Sequence, residues 1–137
     1  MNGKNDPLVE FEVVGRITVG TIRTSSVLSA LNVAEFGNTV LDYIQEHPGL
    51  NLLLNFENVD YLSSAVLTEL LRINKAINES NGHLHLCAIS PVIREVFEIT
   101  NLDRIFVIYE EGKTAGIKRL ERSLNIAAQE AAWKNSK

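Results

Sequence analysis

The amino-acid sequence predicts an α/β fold, in which helices pack on a mixed or parallel β-sheet. Segments with strand-like apolar patterns alternate along the chain with segments of helical spacing. The 137 residues are enough for one compact domain and too few for two ordinary domains. Hydrophobic residues make up 45% of the chain and charged residues 22%, which is the balance of a globular protein.

The first predicted elements are a β-hairpin and a helix. Residues 9–14 and 17–22 are rich in strand-forming residues and flank Gly15-Arg16, a pair that suits a tight turn. A helix is predicted over 32–46, where Asn32 and Glu35 have the spacing of a capping box. Pro48-Gly49 ends it, and its apolar face is formed by Val33, Gly37, Val40, Leu41 and Ile44.

The middle of the chain predicts a buried strand followed by a second helix. The unbroken run Leu52-Leu53-Leu54 within 50–56 is typical of a strand that is covered on both faces. The next helix begins at the two serines 63 and 64 and stops before Asn81-Gly82. Its predicted apolar face consists of Val66, Leu67, Leu70, Leu71 and Ile77.

The remaining elements are two strands and two helices. A strand over 83–89 leads into Ser90-Pro91, which predicts an N-cap serine with proline in the first helical turn. A last strand is predicted over 105–109. The third helix should bury Val92, Ile93, Val96 and Phe97, and a long C-terminal helix carries a stripe of Ile117, Leu120, Leu124, Ala127 and Ala131.

The composition and charge of the chain argue against several classes of location and partner. No apolar run approaches the ~20 residues that cross a bilayer, so we expect no membrane contact. The polar start at 1–8 has no secretion-signal pattern, and the lone Cys87 fits a reducing compartment, so we expect the cytoplasm. The net charge of −4 without a basic block argues against nucleic acid as a partner.

The stretch from Glu57 to Leu67 is the most informative one for function, because it runs from a buried strand through a loop into a helix. Ser63 or Ser64 must therefore lie at a helix N-terminus, where unpaired N–H groups and the helix dipole favour negative charge. A phosphate on Ser64 is compatible with such a fold. The simpler interpretation is that Ser63 only caps the helix.

Other candidate groups carry less weight. His83 and His85 would face one side of a strand, but no third metal ligand accompanies them, and partly exposed strand histidines are the better interpretation. Glu57 and Asp60 are interpreted as solvated loop charges, and Cys87 as an inert buried thiol. Without a P-loop or nucleophile elbow, we predict no catalytic residue, no metal and no cofactor.

Two motifs in register resemble the STAS family of anti-sigma-factor antagonists. Tyr61-Leu62-Ser63-Ser64-Ala65 resembles the family's phosphorylation loop, and Cys87-Ala88-Ile89-Ser90-Pro91 resembles its strand-to-helix junction. The similarity covers roughly 9–109. It implies a regulatory protein without catalysis, with an STAS-like domain at 9–112 after the tail at 1–8 and a helical extension at 113–137.

The resemblance also implies partners. A kinase that is itself the anti-sigma factor would bind at residues 61–65 and phosphorylate Ser64 rather than Ser63, and a serine phosphatase would reverse the modification. A homodimer is a further candidate arrangement.

This chain departs from the family pattern at three places. It has Ser63 where relatives usually carry aspartate, Val66 where glycine is frequent, and the non-acidic 25–29 where many relatives are acidic. The alternative function is therefore an unphosphorylated STAS scaffold or ligand sensor within a larger signalling assembly, with an unrelated small enzyme as the third hypothesis.

Overall fold

The computed structural model describes residues 8–23 and 32–135. In these residues, five strands and four α-helices follow one another, with a 3₁₀ turn at Leu102–Arg104 before the last strand. Their order is β1 (Val9–Val14), β2 (Ile17–Ile22), α1 (Val33–Glu46), β3 (Asn51–Asn55), α2 (Ser64–Glu79), β4 (His83–Cys87), α3 (Pro91–Ile99), β5 (Val107–Tyr109) and α4 (Lys113–Asn135).

The sheet has the strand order β1-β2-β3-β4-β5, which confirms the predicted mixed α/β architecture. β1 and β2 form the predicted antiparallel hairpin, and Gly15 in its turn has a φ of 64°, a conformation that glycine adopts without steric cost. β2 to β5 pair in parallel. β3 lies at the centre of the sheet, and Leu52, Leu53 and Leu54 are fully buried, as the sequence predicts.

The two faces of the sheet are covered by different helices. Alternate residues of β3 and β4, such as Leu54 and Leu86, join the larger core that includes residues of α1, α2 and α3. The opposite residues, such as Leu53 and Cys87, pack with Leu120 of α4 in a second core. α4 approaches closely because Gly116 has no side chain; a Cβ there would lie 3.0 Å from the Cβ of Cys87.

Polar contacts attach α4 to the hairpin at two places. The Lys113 ammonium lies 3.4 Å from a Glu12 carboxylate oxygen. The Arg16 guanidinium donates to the carbonyl oxygen of Glu121 at 3.2 Å and to the side chain of Asn125. Of the predicted stripe, Leu120 is buried and Ile117 and Leu124 are half-buried, whereas Ala127 and Ala131 are exposed. The stripe therefore packs on the sheet only in the first turns of α4, as far as Leu124.

Several local predictions need correction. The strand from His83 ends at Cys87, because Ala88 has a φ of 59°. β5 begins only at Val107, because the N–H groups of Ile105 and Phe106 donate to the carbonyl oxygen of Leu102 in the turn and not to β4. Asn32 precedes α1, but its side chain makes no capping hydrogen bond to that helix, whose residues are all described.

Two residues that the periodicity assigned to the core are exposed. Leu71 of α2 and Val92 of α3 are 38% and 62% exposed. Ile73, which the predicted face of α2 left out, is fully buried. A helix face inferred from spacing alone is uncertain by one residue position, or about 100°.

Among the described helices, none combines the length and apolar character that crossing a bilayer requires. The segment 25–29 lies outside the described residues, as do residues 1–7 of the N-terminal tail.

Candidate functional site

The candidate site lies at one edge of the sheet, where the parallel strands β3 and β4 end and the helices α2 and α3 begin. A backbone hydrogen bond of 3.0 Å from the N–H of Phe56 to the carbonyl oxygen of Cys87 joins the two strand ends. Because neighbouring parallel strands end at the same edge, the motifs around Ser64 and Ser90 lie on the same side of the domain.

Ser63 and Ser64 have different roles in the start of α2. Ser63 is extended (φ −93°, ψ 165°), and its Oγ accepts a hydrogen bond from the N–H of Val66 at 3.4 Å. Ser64 is the first residue of the helix and is exposed. The hydrogen bond that Oγ1 of Thr68 donates to Ser64 is accepted by the carbonyl oxygen of Ser64 and not by its hydroxyl group. Ser63 thus caps the helix, as the simpler interpretation predicts.

Hydrogen bonds fix the loop before these serines. The side-chain amide of Asn55, which is buried, donates to a Glu57 carboxylate oxygen at 3.1 Å, and its Oδ1 accepts from the N–H of Glu57 at 3.2 Å. Asn58 donates to the carbonyl oxygen of Ile22 at 3.1 Å. Val59 is buried below the loop. The loop therefore presents Ser64 from a defined backbone.

The surface around Ser64 carries apolar groups. Tyr61 is 52% exposed and Ala65 is exposed, whereas Leu62 is half-buried and packs against the larger core. Val92, in the first turn of α3 at the same sheet edge, is 62% exposed. The sequence does not mark Val92 as a surface residue, because its spacing from Val96 matches a core face. Exposed apolar side chains beside a polar acceptor are suited to protein binding.

The structure explains why this chain has Val66 at the position where glycine is frequent in the family pattern. The Val66 side chain is fully buried in the larger core, and its N–H donates to both the Oγ and the carbonyl oxygen of Ser63. A glycine at this position would leave that part of the core unfilled. Val66 therefore stabilises the helix start that presents Ser64.

The charges near the site belong to solvated loop residues. Glu57 and Asp60 are exposed, as predicted, and the first turn of α2 contains no acidic residue. The N-terminal end of the helix dipole is thus not neutralised by a carboxylate of its own first turn, which favours an added negative group at Ser64.

A cavity of about 490 Å³ lies on the α4 side of the same edge. Its charged lining residues are Glu10, Glu12, Glu57 and Lys113. Glu10 is paired with Arg23 at 3.0 Å and Glu12 with Lys113 at 3.4 Å, so these charges are compensated within the protein. Glu57 is in none of the ion pairs among the described residues, so the lining keeps a net negative charge and is unsuited to an anionic ligand.

The two strand histidines have separate environments. His83 is exposed, but His85 is buried, so the prediction of two partly exposed rings is wrong for His85. Burial lowers the pKa of His85 to about 4, with a smaller contribution from His83. Among the described residues, no group of three or more His, Cys, Asp or Glu side chains is placed to hold a metal ion.

Cys87 is fully buried, as predicted. Burial raises the pKa of its thiol to about 12, and the Glu57 carboxylate contributes to the increase. A thiol in this state is protonated at neutral pH and is not a nucleophile.

Comparison with known proteins gives consistent results. The STAS domain model matches residues 9–115. A segment of 64 residues is 36% identical to BtrV of Bordetella bronchiseptica, which carries the name of an anti-sigma factor antagonist; the match covers 47% of this chain and 55% of that protein. The chain thus spans about half the length of this relative.

Solved structures share the fold. An anti-sigma factor antagonist structure from Thermotoga maritima has a TM-score of 0.73 and 22% identity, covering 82% of this chain and 94% of that one. The phosphorylated form of the Bacillus cell fate determinant SpoIIAA has a TM-score of 0.63 and 19% identity, covering 82% of this chain and 98% of that one.

Proposed function

Because the chain belongs to the STAS domain family, we propose that it is a non-catalytic anti-sigma-factor antagonist whose binding to a partner kinase is switched by phosphorylation of Ser64. The observation that carries this proposal is the division of roles at the start of α2. Ser63 caps the helix through its Oγ, while Ser64 is exposed on the first helical turn.

The fold can accept a phosphate at Ser64. The N-terminal N–H groups of α2 and its helix dipole favour negative charge, and no acidic residue of the first turn competes. The solved structure of the phosphorylated form of SpoIIAA has this fold, which supports the idea that the fold tolerates the modification.

The same phosphate would disturb a docked partner. It adds about −1.5 to −2 charge at pH 7 at the end of a loop that already exposes Tyr61 and the side chains of Glu57 and Asp60. A partner kinase that docks on Tyr61, Leu62, Ser63, Ser64 and Ala65 would then face a desolvation cost and like-charge repulsion. A serine phosphatase would restore binding, so the proposed partners are an anti-sigma factor kinase and a phosphatase.

One observation favours the alternative of an unphosphorylated scaffold. The residue before the acceptor is Ser63, whose side chain is used in the cap and supplies no charge to a kinase. The two functions differ in one measurable property, which is the presence of phosphate on the chain in its native cells.

The test is to purify the full chain from its native cells and to map phosphate by mass spectrometry. We expect one phosphate on Ser64, its loss in Ser64→Ala, and its retention in the matched variant Ser63→Ala. We also expect Ser64→Asp to retain less of the co-purifying partner than the unaltered chain. Full labelling of Ser64→Ala would defeat the assignment, and an unlabelled chain under all growth conditions would favour the scaffold.

The non-catalytic part of the proposal has its own test. The purified chain incubated alone with ATP and Mg²⁺ should neither hydrolyse ATP nor label itself. Turnover that a point substitution in this chain abolishes would contradict it.

A further inference from the structure

The second half of α4 lies outside both hydrophobic cores and outside the proposed switch. Every residue from Asn125 to Asn135 is exposed, including the apolar Ile126 at 49% and Trp133 at 63%. In solution, a helix of this kind gains most of its stability from packing of an apolar face. The exposed end of α4 is therefore a surface that suits a partner.

The exposed face of α4 points away from the sheet. With 100° per residue, Leu120 and Leu124, which pack on the sheet, lie about 120° and 160° around the helix axis from Ile126. A second helix could therefore lie along the Ile126 side of α4 without displacing the packing of α4 on the sheet.

The residues on this face are complementary to themselves. We propose that the face binds the same face of a second copy, with the two α4 helices antiparallel and a two-fold axis at Ile126. In an isologous pair, the residue a given number of positions before Ile126 meets the residue the same number of positions after it. Arg122 then meets Glu130 of the second copy about 6 Å along the helix from the axis.

The other positions match in the same register. Ser123 meets Gln129, which allows a hydrogen bond between side chains, and Arg119 meets Trp133, which suits a cation–π contact. The Arg119 guanidinium already lies 5.0 Å from the ring centroid of Tyr109. A surface groove of about 360 Å³, lined by Tyr109, Arg119, Arg122, Ser123 and Ile126, lies where Trp133 of the second copy would dock.

The charges on the exposed face of α4 favour a second copy of the chain as its binding partner. Within the described part of the chain, the ion pairs include neither Arg122 nor Glu130, so both charges are available. Two-fold symmetry makes each pair occur twice, so one register satisfies four charges at once. An apolar partner would leave all four without a counter-charge.

The dimer should be weak and concentration-dependent, because one helix pair is at the small end of specific interfaces. Sedimentation velocity of the full chain over a wide concentration range measures it. We expect a reversible monomer–dimer equilibrium in the unaltered protein.

Charge reversal tests the register. Arg122→Glu places glutamate opposite glutamate twice in each dimer, and Glu130→Arg places arginine opposite arginine twice. Each variant alone should dimerise at least about tenfold more weakly. An equimolar mixture of the two variants should regain dimers, because every mismatched pair becomes a Glu–Arg pair. No recovery in the mixture would overturn the register.

Substitution at the axis tests the surface itself. Ile126→Asp places two carboxylates against each other and should abolish the dimer, whereas Ala128→Asp, about 200° around the helix, should not. A chain that stays monomeric at all concentrations overturns the proposal. So does a dimer that survives Ile126→Asp, and either result would assign the face to another partner. The proposal does not depend on phosphorylation of Ser64.

Discussion

The hydroxyl of Tyr109 and Nδ1 of His85 are joined by a hydrogen bond of 2.8 Å between neighbouring strands β5 and β4. The two rings also meet edge to face, with their centroids 5.5 Å apart. Tyr109 belongs to the core that packs against α4, and burial raises the pKa of its hydroxyl. The pair therefore places a neutral imidazole between the sheet and α4.

We predict that acid destabilises the protein through His85. Its pKa is about 4 in the folded chain and 6.5 in the unfolded chain, so below pH 6.5 the unfolded state binds the proton more readily. Stability is fully present above pH 6.5 and falls as the pH approaches 4, by at most roughly 3 kcal/mol.

Urea denaturation across this pH range measures the effect. His85→Gln should flatten the pH dependence between 4 and 6.5, and the matched substitution of the exposed His83 by Gln should leave most of it. An unchanged pH profile in His85→Gln would assign the acid sensitivity to other groups.

Substitution of Ser63 and of Ser64 by alanine should lower the unfolding free energy by different amounts. Ser63→Ala removes the oxygen that accepts from the Val66 N–H and should cost about 1 kcal/mol of unfolding free energy. Ser64→Ala should cost less than about 0.5 kcal/mol, since Ser64 is exposed at the first helical position. Chemical denaturation decides between them, and equal losses would contradict the capping role of Ser63.

The first half of α4 should be essential for stability, and the second half should not. Leu120 is fully buried, so Leu120→Ala should cost about 3 kcal/mol. Truncation after Gly112 uncovers Leu53 and Cys87 and should lower the melting temperature and the solubility. Truncation after Asn125 keeps the Arg16 contact and should leave the melting temperature of the monomer nearly unchanged. If the Gly112 truncation melts like the full chain, α4 does not stabilise the sheet.

A stabilising substitution is expected at Ala88. Its φ of 59° is in the left-handed region, which costs an L-residue roughly 1–2 kcal/mol and glycine almost nothing. After the entropy that glycine adds to the unfolded chain, Ala88→Gly should stabilise by about 0.5–1 kcal/mol. The control Ala76→Gly, inside α2, should destabilise by about 1 kcal/mol. Thermal melts measure both, and a loss of stability in Ala88→Gly would contradict the expected relief of strain at this position.

Local signals in the sequence determined the elements and the start of the site. The bounds of β1 and β2, the Ser63 and Ser90 caps and the exposed Ser64 follow from a few neighbouring residues, because turns and caps are made by hydrogen bonds of short sequence separation. The family resemblance added the partner-binding surface only as an expectation.

Tertiary structure alone decided what is buried and what is free. His85 is buried because β5 brings Tyr109 beside it. Val92 is exposed because Ile93 and Phe97 occupy the core side of α3. α4 extends past the sheet after Leu124 because the strands are too short to cover it. Spacing shows that a helix has an apolar face, but burial depends on which distant element covers each side chain, and short-range patterns do not contain that information.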